Sequence, residues 1–102
     1  MVQIKWLSQS IFDLEEIKNY IAYNSPLYAK ITVQKLRKRT QILKKNIRSG
    51  RVVPEYEQET VRELIEGNFR IIYYVATEKE AWILTVVHGA RDLTKIELSI
   101  KE

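Results

Sequence analysis

The sequence predicts an α+β domain of order β-α-α-β-β-β-(α), a helical hairpin packed on an antiparallel sheet. Three observations carry this. Apolar residues recur at helical spacing through two adjoining segments in the first half of the chain. After Gly50, the β-type runs "TVREL", "FRIIYYV" and "AWILTVVH" follow with only "EGN" and "TEKE" between them. Helices grouped before strands, rather than alternating with them, give segregated layers. The length, 102 residues, suits one domain spanning 1–102, and no repeat, low-complexity tract or linker divides it.

Each element has its own reason. "VQIKW" alternates, so Val2, Ile4 and Trp6 turn inward from a first strand. Ser8 or Ser10 is placed to cap a helix whose stripe is Ile11, Leu14, Ile17 and Ile21, ending near Asn24. In "NSP", Ser25 is a good N-cap. Pro26 fits the first helical position, where its missing N–H would be unpaired anyway. The second helix is expected from Pro26 to about Ile47, with Ala29, Val33, Leu36, Thr40, Leu43 and Ile47 on one stripe. A tight link between two amphipathic helices gives an antiparallel hairpin. "GRVVPEYEQE" reads as a loop, and the three runs after it as a meander. A last helix from about Asp92 to Ile100 would carry Leu93, Ile96 and Ile100 on one side. Both faces of "RIIYYV" and "WILTVVH" are largely apolar, so the sheet's second face needs a cover: that helix, a partner, or both.

Composition narrows the function. There is no cysteine and one histidine, so neither a disulfide framework nor a thiolate or His-based metal site is expected. The cytoplasm is the default compartment, and no run is long and apolar enough to span a membrane. Net charge is +4, and Lys35, Arg37, Lys38, Arg39, Lys44, Lys45, Arg48 and Arg51 form a block without an acid. Such a block suits a polyanion or an acidic partner; a solvated helix face reads the same way.

Periodicity then allows a site. If the turns at "EGN" and at Glu78 to Glu80 have odd length, Arg62, Arg70 and His88 share one sheet face, and Glu55 leans over it from the Pro54 loop. Arg51 and Arg91 flank them. A carboxylate, an imidazole and several guanidiniums could cut RNA by attack of its own 2′-OH without a metal or other cofactor. Glu55 would be base, His88 acid and Arg70 phosphate clamp. The bland alternative is an Arg70 ion pair with Glu55 or Glu63, and a His88 that merely ends a strand. Tyr73 and Tyr74 divide between the faces and read as packing.

"GRVVPE", "VRELIEGNFRIIYYV" and "ILTVVHGARDL" resemble, in order and spacing, the C-terminal half of the RelE/ParE toxin superfamily, and "DLEEIKNYIAYNSPLYA" resembles its helical hairpin. The resemblance implies a RelE-like, microbial-ribonuclease-like fold and a cognate antitoxin with an extended, partly disordered segment. One branch cuts messenger RNA on the ribosome; Glu55, Arg70 and His88 match its active positions, although an aromatic residue usually follows its histidine and Gly89 stands here. Another branch poisons DNA gyrase and is not a nuclease. "HGARDL" is compatible with it, while "EGNF" replaces its usual Gly-Ser-His type turn. A third possibility is an inactive antitoxin-binding member. Glu55 with Arg70 places the ribosome-dependent endoribonuclease first. Arg51, Arg62 and Arg91 would then contact phosphates, and Lys38, Lys44 and Lys45 ribosomal RNA.

Overall fold

The structure, a computed structural model, describes residues 1–95 and the side chains of 1–94. Strand β1 (Gln3–Trp6) leads into helices α1 (Ser8–Ala22) and α2 (Pro26–Arg39), and a 3-10 turn (Thr40–Lys44) extends α2. Four strands follow, β2 (Arg51–Val52), β3 (Val61–Glu66), β4 (Phe69–Thr77) and β5 (Glu80–His88), then a 3-10 turn at Leu93–Lys95. The sheet order is β1-β5-β4-β3-β2, with β1 parallel to β5 and all other pairs antiparallel. The expected α+β class holds; the three-strand meander gains β2 at one edge, and β1 joins its other edge in parallel to make five strands. The expected C-terminal helix is a 3-10 turn as far as Lys95, and its remainder lies outside the described residues.

Local chemistry explains the helix ends. Leu7 N–H still bonds the Ile83 carbonyl, so the chain passes from the sheet directly into α1 with Leu7 as its cap residue. Neither Ser8 nor Ser10 caps it; the Ser10 hydroxyl donates back to the Leu7 carbonyl. Ser25 does cap α2, accepting from Tyr28 N–H at 3.1 Å. The helix tightens at Arg39 rather than running on to Ile47. There a 3-10 turn takes over, and the Thr40 hydroxyl binds the Arg37 carbonyl three residues back, the step of that turn. Ala29, Leu36, Thr40, Leu43 and Ile47 are all buried, as their stripe predicts.

Two cores sandwich the sheet. On the helix side Leu14, Leu36, Leu43, Leu64, Ile71, Tyr73, Ile83 and Val86 pack together. On the other, Val61, Ile72, Leu84 and Val87 are covered by Val53, Leu7 and Leu93, with Tyr56 against them. The cover expected from the apolar strands is thus supplied in part by the chain's own Pro54 loop and C-terminal turn. Where β1 ends, α1 takes over the open edge of β5. The Asp13 carboxylate accepts Val86 N–H at 3.0 Å and the Thr85 hydroxyl, satisfying a donor that the edge would leave bare.

The hairpin turns decide which side chains meet. Glu66 pairs with Phe69, so the β3–β4 turn has two residues, Gly67 and Asn68. Gly67 has φ +58° and Asn68 is not left-handed, the type II′ form that matches strand twist. The β4–β5 turn also has two residues, since Thr77 pairs with Glu80. Irregularities at Ala76 on β4 and Leu84 on β5 offset each other. The far end of the hairpin therefore keeps the register set at its turn.

Candidate functional site

The second residue of β4 is Arg70, which sits opposite Val87 on β5 and Ile65 on β3. Glu63, two residues along β3, is its diagonal neighbour, and Arg51 of β2 pairs directly with Glu63. The Glu63 carboxylate is fully buried between the two arginines, taking Arg70 Nε on one oxygen and Arg51 Nε on the other. Beyond Arg70 stands Glu55. One turn at Val53, from which Tyr56 and Glu57 N–H bond back to the Val53 carbonyl, lifts Glu55 over the face. Arg70 Nη1 and Nη2 each reach one Glu55 oxygen at 2.8 Å.

The result is an alternating row, Arg51–Glu63–Arg70–Glu55, of zero net charge. The Arg70 side chain is only 7% exposed. The bidentate bond from Arg70 holds the Glu55 carboxyl down at about 2, against the opposing effect of desolvation. Glu55 in return raises the guanidinium's affinity for its proton. The row also anchors the C-terminal turn. Leu93 N–H approaches Glu55 Oε2, the Tyr56 hydroxyl donates to the Leu93 carbonyl at 2.9 Å, and Arg70 Nη1 approaches the Arg91 carbonyl.

On the opposite face His88 pairs with Phe69, and the two rings meet edge-on at 6.1 Å and 73°. The imidazole is exposed, and its Nδ1 accepts Ala90 N–H at 3.3 Å. It stands at the rim of a cleft of about 620 Å³ between the helical hairpin and the β3–β4 turn, with Ile17, Tyr20, Ile21, Tyr28, Leu36 and Phe69 in its lining. Gly89 N–H bonds the Asn68 carbonyl at 2.7 Å, and a Cβ there would lie 3.2 Å from that oxygen. Gly89 thus allows a close backbone approach to the β3–β4 turn.

The expected common face of Glu55, Arg62, Arg70 and His88 is corrected by this register. Two-residue turns at both hairpins replace the odd turns it needed, and one step of register turns every side chain over. Arg70 and His88 border the same small cleft at the sheet's end, but from opposite faces. Arg62 pairs with Tyr73 on the helix side and is not a free phosphate ligand. Its guanidinium binds the Gly50 and Glu59 carbonyls at 2.9 Å and the Glu59 carboxylate, tying down the Pro54 loop. Arg51 joins Arg70 through Glu63, a residue considered beforehand only as an ion-pair partner. Arg91, Lys38, Lys44 and Lys45 are exposed. The signal for the correct register was in the sequence, because Gly-Asn between two β-type runs is a two-residue hairpin dipeptide.

As arranged, the row has little to offer acid–base chemistry. A base holding its proton only below about pH 2 is poorly matched to neutral conditions, and every donor nitrogen of Arg70 already has an acceptor. No curated protein matches the chain. A solved structure described as the chromosomal ParDE toxin–antitoxin system from P. aeruginosa is similar at 26% identity and TM-score 0.70, over 86% of this chain and 96% of that one. The family model for the ParE toxin of the type II toxin–antitoxin system parDE matches residues 4–93. With nearly the whole described chain inside that match, the protein belongs to the ParE family of type II toxin–antitoxin toxins.

Proposed function

We propose that this toxin inhibits growth by acting on DNA gyrase, not by cutting messenger RNA, and that a cognate antitoxin neutralises it. The observation that carries the reading is the closed row Arg51–Glu63–Arg70–Glu55 on the face opposite His88. A ribonuclease would need Arg70 to leave two carboxylates, Glu55 to regain a useful proton affinity, and His88 to reach around the sheet edge. Each step opposes a charge-assisted hydrogen bond or a strand register, the two strongest constraints at this end of the molecule. Membership of the ParE family and likeness to a ParDE structure support the same branch. The apolar cleft and the exposed Phe12, Tyr20, Tyr23, Leu27 and Tyr28 around the helical hairpin offer the aromatic anchors that protein partners use.

The test compares two assays on one purified preparation. Gyrase with relaxed plasmid should lose supercoiling activity and accumulate cleaved DNA as toxin is added, while a reporter message in cell-free translation stays uncut by primer extension. Glu55→Gln and His88→Ala should leave the absence of cutting unchanged. New ribosome-dependent cuts that vanish in both variants, with gyrase unaffected, would overturn the proposal and restore the ribonuclease reading.

A further inference from the structure

Between Glu16 and Glu55 the chain contains no acidic residue and ten Lys or Arg. The structure divides the cations of the 35–51 block by type. The arginines are engaged internally: Arg37 lies 5.5 Å over the Trp6 ring, Arg39 Nε donates to the Ile65 carbonyl, Arg48 pairs with Glu59 and Glu78, and Arg51 with Glu63. The lysines are not. Among the described residues, no ion pair or side-chain hydrogen bond engages Lys35, Lys38, Lys44 or Lys45, and all four are exposed. Lys35 and Lys38 lie on the last turns of α2, Lys44 ends the 3-10 turn that continues it and Lys45 caps that turn, a ridge whose core side is pinned by Leu36, Thr40 and Leu43.

We propose that this ridge binds the phosphate backbone of duplex DNA, so that the toxin contacts gyrase-bound DNA as well as the enzyme. The choice of DNA rests on the gyrase reading; the choice of a nucleic acid does not. Protein interfaces are enriched in aromatic residues and arginine and depleted in lysine. Here the arginines are already engaged, Ile42 is among the described residues the one large exposed apolar side chain along the ridge, and the exposed aromatics lie on the helical hairpin instead. Lysine is a point charge on a flexible stem, suited to neutralising phosphates without fixed bidentate geometry. A row of such charges releases counterions, giving salt-dependent and sequence-independent binding.

The experiment measures anisotropy of a labelled 30-base-pair DNA duplex with toxin alone, between 50 and 200 mM KCl. It uses the wild type, the ridge variant Lys38→Gln/Lys44→Gln/Lys45→Gln, and a control, Lys18→Gln/Lys79→Gln, that removes exposed charge elsewhere. At about 0.9 per neutralised phosphate, the ridge variant's log–log salt slope should be shallower by about 2.7. Its affinity at 50 mM should fall at least about tenfold, with the control near wild type. Coincident slopes for wild type and ridge variant would overturn the proposal. So would tighter binding to a matched RNA duplex. Since the toxin is titrated without gyrase, failure here leaves the gyrase reading standing, and a failed supercoiling assay leaves the DNA site standing.

Discussion

Arg70→Ala separates the two roles this arginine can have. Its guanidinium is nearly enclosed and serves two carboxylates, one of them, Glu63, with no exposed side-chain surface. Removing it leaves Glu63 held only by Arg51, whose side chain is 63% exposed, and leaves Glu55 without its bidentate partner. Breaking one side of a buried pair typically destabilises by about 3–5 kcal/mol. Against a total of about 5–15 kcal/mol for a domain, that is a large share. With a urea dependence of about 1.5 kcal/mol per M, the unfolding midpoint should drop by about 2–3 M. Adding Glu63→Gln to Arg70→Ala should recover part of the loss, because the orphaned charge goes with it. The assay is urea unfolding followed by circular dichroism on purified protein. An Arg70→Ala protein with a midpoint within about 0.5 M of wild type, yet without toxicity, would refute the reasoning and mark Arg70 as a group spent on a target.

Three further outcomes follow from other parts of the molecule. The buried Tyr73 hydroxyl donates to the Ile47 carbonyl at 2.8 Å and accepts Gly50 N–H at 3.0 Å, so Tyr73→Phe should cost about 1–3 kcal/mol in chemical unfolding. Asp13→Ala bares Val86 N–H on the sheet edge, and amide exchange at Val86 should quicken well before that of Ile71 in the sheet interior. Because Glu55 is depressed in the folded state from 4.5 to about 2, its stabilisation is complete above about pH 4.5 and is lost as the pH falls through about 2. Glu55→Gln should therefore show a flatter dependence of melting temperature on pH between 5 and 2 than the wild type does.

The layer order was legible because it depends on periodicity alone. Of the stripe from Ala29 to Ile47 every member but the half-buried Val33 is buried, even where the helix changes to 3-10 geometry at Thr40. Ser25 caps its helix because Ser-Pro leaves little else for the chain to do there. The two short ladders were harder. β1 joins β5 in parallel across almost the whole chain, and β2 has two residues, too few for a pattern. Gly50 gives no periodic signal either, yet a Cβ there would lie 2.5 Å from the Glu63 carbonyl and 2.7 Å from the Tyr73 ring. The candidate site was half legible. Glu55 and Arg70 do meet, as loop and strand placement suggested, whereas the place of His88 hung on turn lengths, which are two residues at both hairpins.

That single step of register changes what the motif means. Glu55, Arg70 and His88 have the order and spacing that the resemblance to a ribonuclease branch implies, but order and spacing say nothing of which face a strand residue occupies or how its charge is balanced. Here the balance comes from Glu63, diagonal to Arg70 and opposite Arg51. A carboxylate at that register position turns an arginine at a strand end into an internal cross-link, and turns the loop carboxylate into the other end of that link. The same two arginines beside an apolar residue at 63 would face the loop with one acid between them and a net positive charge, the state in which a phosphate competes well. Within this fold, the residue diagonal to the β4 arginine is therefore a better guide than the histidine to whether the row can serve a phosphate or only the fold.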